Sequence, residues 1–289
     1  MTANRTWLVA ARDRECTTPA LARAFRLARA GDRVVLAHAR RHRLLDLLGA
    51  GAMRVAAPEL SAASLAGEDW LAAVCAATVP PQGVTLEAEL VDGEAAPALA
   101  ALADRRDAVA IVAAPARRGA LREFALGSTL TRLLREAARP VLVAHGDGAA
   151  DWRRAAAAVT ADPSGLRVAA AAQALAPAAA LTLAHAWRVP DEGRLRLHGV
   201  DPARIEAVRD WARASAEGAL GEVRLAAPGA ALALVEGHAA SAILDWGRQA
   251  KPDVLFVAAH RGPASQERLL GSVTQFLLYH WPGDLVLVP

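Results

Sequence analysis

The chain has 289 residues, 54% of them hydrophobic, which suits two domains of ordinary size. No run reaches the roughly 18 uncharged apolar residues of a membrane-spanning helix, and a net charge of +3, with Lys251 the only lysine, gives no reason to expect nucleic acid or membrane as a partner. Cys16 and Cys75 stand in no disulfide-framework or metal-ligand spacing and read as reduced structural residues.

In chain order, the start Met1-Thr2-Ala3-Asn4-Arg5-Thr6 runs straight into an apolar segment with no signal-peptide pattern, so the expected location is the cytoplasm. Residues 7–11 read as a buried strand and 18–30 as a helix stopped by Gly31-Asp32. A second strand spans 33–39, and a variable stretch follows. A helix around 60–78 ends at Pro80-Pro81, and 84–91 alternates as a third strand. Next come a helix over 95–106, an apolar strand over 108–114, a loop over 115–126, a helix from Ser128 and a last strand over 140–143.

The order then repeats, with strands near 154–161, 179–186, 230–235, 253–258 and 284–288. Three strings recur at an offset of about 145 residues: Leu36-Ala37-His38-Ala39 with Leu183-Ala184-His185-Ala186, Val91-Asp92-Gly93 with Val235-Glu236-Gly237, and Leu126-Gly127-Ser128 with Leu270-Gly271-Ser272. This is the mark of a duplicated domain, joined in the Gly/Asp/Ala-rich segment 146–151. The expected domains are 1–147 and 151–289. Short apolar strands separated by helices imply an α/β fold, each copy a doubly wound, five-stranded parallel sheet between helices.

Ligands of such sheets bind at the carboxyl ends of the strands, where neighbouring connections leave to opposite faces. Three loops qualify in each copy. They follow the first strand (12–15; 162–165), the second (near His38; near His185) and the fourth (115–127; 259–271). The last ends in Gly-Ser before a helix in both copies, and a helix N-terminus with glycine and serine offers N–H groups, close approach and a hydroxyl to a phosphate. Ser is also a common helix cap, so the pattern alone has a purely structural reading.

These residues resemble the universal stress protein family, whose domain closes with a strand, a loop of the form Gly-x2-Gly-x9-Gly-Ser/Thr, a helix and a final strand. Residues 257–273 with 285–288 carry the better copy of the pattern, and 111–143 a weaker one. The resemblance covers nearly the whole chain, twice, and implies a tandem regulatory or stress-protective protein. It also implies ATP or another adenine nucleotide as ligand of the second domain, with Mg2+ entering only alongside the nucleotide. The implied contacts are Asp162, Ala259, His260, Gly262, Gly271, Ser272 and Val273, and, in the degenerate first copy, Gly119, Gly127 and Ser128. Departures are specific. Ala259 replaces the first loop glycine of the second copy, and eight rather than nine residues separate Gly262 from Gly271. In the first copy Arg12 stands at the acidic position with Asp13 one residue later, and strict spacing puts Ala114 and Arg117 where both glycines belong.

His38 and His185 read as strand-end histidines bonded to a neighbouring loop, and Arg117, Arg118 and Arg122 as a solvated loop. The family's final strand commonly joins domains, which leads to the expectation of a pseudo-dimer within one chain, with a homodimer as the further option through Trp246, Tyr279 and Trp281. No Walker lysine, nucleophile elbow or zinc-protease motif occurs, so no catalytic residue is assigned. Two rival readings stand beside nucleotide binding: a protein-interaction scaffold with decayed sites, and a weak ATPase or phosphotransferase using Asp162 and Ser272.

Overall fold

The computed structural model describes residues 4–40, 69–115, 127–259 and 270–289. The chain divides into two compact units, Met1–Asp151 and Trp152–Pro289. Among the described residues, no helix is long and apolar enough to cross a membrane.

The first unit contains strands β1 (Thr6–Ala10), β2 (Arg33–Arg40), β3 (Thr85–Asp92), β4 (Ala108–Ala113) and β5 (Val141–Val143). They lie in the order β3-β2-β1-β4-β5, all neighbours parallel. Helices α1 (Arg14–Leu27), α2 (Ala95–Arg105) and α3 (Gly127–Glu136) cross between them, and 69–77 are also helical. A parallel sheet covered by crossover helices must be apolar along whole strands. Accordingly Trp7, Leu8, Val34, Val35, Leu36, Ile111 and Val112 are all fully buried.

The helix expected over 18–30 begins and ends earlier. Asp13 takes extended geometry and its carboxylate accepts the Cys16 N–H, which starts α1 at Arg14 and leaves Pro19 inside the helix. At the other end the Arg29 N–H turns to the Asp32 carboxylate, so the helix closes at Leu27. Of the helix expected around 60–78, residues 60–68 lie outside the described residues.

The second unit holds β6 (Arg154–Ala158), β7 (Ala180–Trp187), β8 (Ala231–Glu236), β9 (Val254–Ala258) and β10 (Asp284–Val288), in the order β10-β9-β6-β7-β8 and again parallel. Its helices are α4 (Pro163–Leu175), α5 (Glu192–Leu197), α6 (Pro202–Ala219), α7 (Gly221–Leu225), α8 (Ala239–Ala250) and α9 (Ser272–His280). The central strand β6 is a run of alanines, poor strand formers by propensity, yet it pairs on both sides and its interior residues are buried. Small side chains there let α4 approach, with Val168, Ala169 and Ala172 fully buried. The strand expected over 154–161 stops at Ala158, because the chain must turn to bring Asp162 to the head of α4.

Candidate functional site

In the second unit β6 lies between β9 and β7, so the connections after β6 and after β9 leave the sheet at a switch point. Beyond the end of β6, the Val159 N–H donates to the Ala184 carbonyl and the Val159 carbonyl accepts from His185 Nδ1 at 2.8 Å. Asp162 then caps α4. Its Oδ1 accepts the Ser164 N–H (2.8 Å), the Ser164 hydroxyl (2.5 Å) and the Gly165 N–H (3.1 Å). The Ser164 hydroxyl bond lowers the Asp162 pKa below the usual carboxylate value, burial opposes, and the Gly165 N–H and Thr160 hydroxyl add to the lowering. Asp162 is thus an ionised, exposed carboxylate whose Oδ1 is taken up by its own helix. Gly165 is required by close approach, since a Cβ there would sit 1.9 Å from the Thr160 carbonyl oxygen.

Helix α9 starts differently. Gly271 is its N-cap, with φ −58° and ψ 150° and no side-chain cap bond, and Ser272 is its first residue, exposed to solvent. The φ of Gly271 is open to any residue, so the backbone conformation does not by itself require glycine there. Val273 is half-buried and Thr274 is buried. The Thr274 hydroxyl donates to the Ala258 carbonyl at 2.8 Å, pinning the start of α9 to the carboxyl end of β9. Ala259 is buried and its N–H bonds the Val288 carbonyl. Asp162, Ala259 and Gly271 to Val273 are therefore placed at the carboxyl ends of two adjacent strands. His260 and Gly262 lie outside the described residues.

In the first unit the switch point falls between β1 and β4. Ala11 stands where Val159 does: its N–H donates to Ala37 and its carbonyl accepts from His38 Nδ1 at 2.9 Å. The acidic cap is Asp13, two residues after Ala11, whereas Asp162 comes three after Val159. Asp13 also pairs with Arg12 Nε at 2.8 Å. Burial acts to raise its pKa, but the Cys16 N–H and the Arg12 guanidinium hold it below the usual value. Gly127 and Ser128 open α3. Gly119, Arg117, Arg118 and Arg122 lie outside the described residues. A cavity of about 100 Å3 lies at this edge, its lining including His38, Ala95, Leu99, Leu130 and Leu133.

Thr274 and Gly165 were not singled out from sequence. A glycine three residues after a capping Asp, and a threonine two after Gly-Ser, are the local signals that mark them. Among the described residues, no group of three or more His, Cys, Asp or Glu side chains is placed to hold a metal ion.

A family model described as the universal stress protein family matches residues 4–145 and 152–289. Among solved structures, a universal stress protein from Archaeoglobus fulgidus DSM 4304 aligns at 14% identity over 99% of this chain and 96% of its own, with a TM-score of 0.62. A Pseudomonas aeruginosa UCBPP-PA14 protein solved as a universal stress protein aligns at 18% identity over 99% and 93%, with a TM-score of 0.61. A protein of unknown function from Pseudomonas aeruginosa PAO1 aligns at 19% identity over 99% and 92%, with a TM-score of 0.59. At these identities the structures speak to the fold. None of the curated proteins matches the chain in sequence.

Proposed function

The chain belongs to the universal stress protein family, with one family domain in each half, and on that premise we propose that it is a cytoplasmic, stress-protective regulatory protein that takes ATP or another adenine nucleotide in its second domain. One observation supports this reading above the rest. Among the described residues no side chain caps the head of α9, whereas the head of α4, after the neighbouring strand, has its N–H groups bonded by Asp162. N–H groups that no described side chain caps, at the positive end of a nine-residue helix, suit a phosphate, and Gly271 places no side chain of its own in the way. Asp162 Oδ2, free of the capping bonds on Oδ1, would accept from a ribose hydroxyl. Mg2+ enters this proposal only as the nucleotide's own counter-ion, and the role is binding without turnover.

Calorimetric titration of ATP and ADP into the full chain tests the reading. Saturable binding that Gly271→Val abolishes in folded protein is the expected result. Binding accompanied by hydrolysis that Asp162→Ala removes would revive the enzyme reading. No binding by the wild-type chain would leave the scaffold reading, which one observation favours: Leu197, Trp211 and Leu225, on α5, α6 and α7, are 87%, 71% and 81% exposed.

A further inference from the structure

The cavity at the carboxyl edge of β1 and β4 lies in the first domain, away from the proposed nucleotide site, and its chemistry is different. Leu99 from α2 and Leu130 and Leu133 from α3 present buried alkyl surface to it. Ala10 and Ala39 at the strand ends and Ala95 at the head of α2 leave open the space that larger side chains would fill. At about 100 Å3 it is well below the roughly 300–1,000 Å3 of pockets for drug-sized ligands, and the alkyl surface that predominates among its described lining residues offers a triphosphate little. Dry apolar cavities of about 150 Å3 take up benzene or xenon, so this size suits a very small molecule.

Among the described lining residues, His38 supplies the ring acceptor, beside the Thr129 hydroxyl and the Cys16 thiol, which donates to the Pro115 carbonyl. The Ala11 carbonyl only accepts hydrogen bonds, so His38 Nδ1 carries the proton that bridges them at 2.9 Å, and in the neutral ring Nε2 is an acceptor. Trp70 packs edge-on against the imidazole with ring centroids 5.8 Å apart, which holds its plane. Arg12, the one charged side chain among the described residues lining the cavity, has its guanidinium paired with the Asp13 carboxylate at 2.8 Å, which offsets its charge. We infer that the first domain binds a small uncharged molecule with a compact apolar body and one hydroxyl or amine donor, which is held by the leucines and donates to His38 Nε2. Phenol is the simplest probe of that class.

Titration of phenol into the full chain, followed by methyl resonances of Leu99, Leu130 and Leu133, should give saturable shifts confined to this edge. Ala95→Leu, which fills the cavity, should weaken phenol by about tenfold or more. His38→Phe should weaken phenol several-fold while leaving toluene, which has no donor, unchanged. ATP should not displace phenol, and any ATP-dependent shifts should fall in the second domain, so failure of the nucleotide proposal and failure of this one are separable. Shifts that do not saturate, displacement of phenol by ATP, or undiminished phenol binding in folded Ala95→Leu protein would each overturn the inference. Should a variant not fold, the wild-type titrations with phenol, toluene and ATP decide it.

Discussion

The two domains share a topology and one strand-end device, a histidine Nδ1 bonded to the carbonyl just beyond the central strand, yet they satisfy the opposite end of that strand from different neighbours. In the first domain Asp32, at the foot of β2, accepts the Arg5 N–H, the Arg5 guanidinium, the Arg29 N–H and the Trp7 indole N–H. In the second domain Asp253, at the foot of β9, accepts the Arg153 and Arg154 N–H groups at 2.8 Å each. There the buried tryptophan, Trp152, donates instead to Asp284. A duplicated fold thus keeps the donors at equivalent strand ends hydrogen-bonded, and leaves open which side chain accepts from them.

The strongest way to break this comparison is to remove the acid. Asp32→Ala leaves the buried Trp7 indole N–H without its acceptor and the Arg5 guanidinium, only one-fifth exposed, with the Leu27 carbonyl but no counter-charge, and should cost about 3–5 kcal/mol. Asp253→Ala removes an acceptor of two backbone N–H groups at a more open site and should cost about 1–3 kcal/mol. Denaturant unfolding of both variants checks the difference, and equal costs would mean the buried pair is not what holds the first domain's lower edge. Burial acts to raise the Asp32 pKa, but the Arg29 and Arg5 N–H groups, the Arg5 guanidinium and the Trp7 indole hold it below the usual value. A lowered folded-state pKa means that this stability is present above the unfolded carboxylate value, about 3.9, and is lost as pH falls through the folded one.

The heads of the first helices sharpen the comparison. Gly165→Ala drives a Cβ against the Thr160 carbonyl and should cost about 1–3 kcal/mol, while the first domain already carries Cys16 three residues after its cap. An unchanged midpoint would show that the Thr160 turn yields freely. Asp162→Ala should cost about 1 kcal/mol at neutral pH through the lost cap. Because the folded Asp162 pKa is also lowered, that difference from wild type should shrink as pH falls through about 3.9 and below. A loss that persists in acid would point away from the carboxylate. The smallest effect is expected at the exposed α8 pair Arg248–Asp245, both side chains more than 60% exposed, where Arg248→Ala should stay within about 0.5 kcal/mol.

Much of this was legible along the chain. Continuous runs such as Val34-Val35-Leu36 and Leu255-Phe256-Val257 mark buried parallel strands without knowledge of their partners, because a strand covered on both faces must be apolar throughout. The alanine strand β6 was found by its place in the repeat, since its propensity argues for helix. Helix starts were less legible. The expected start at 18 gave way to Arg14 because a cap is a bond between one side chain and one N–H, and Asp13 leaves only a weak trace in periodicity. At the candidate site, Asp162, Gly271 and Ser272 could be read from sequence as positions, but their roles could not. That Asp162 commits Oδ1 to its own helix while the N-cap of α9, Gly271, makes no side-chain cap bond emerges only once both helices stand at neighbouring strand ends.

The sequence by itself determined the duplication, the alternation of strand and helix and the family, because hydrophobic period, repeated strings and loop spacing are properties of short segments. Only the tertiary structure decided that Thr274 ties α9 to β9, that His38 commits Nδ1 to Ala11 and so keeps Nε2 as an acceptor, and that Asp32 and Asp253 serve equivalent strand ends from opposite sides. Each of these joins groups far apart in the chain, and a buried donor takes whichever acceptor the packed sheet places within reach.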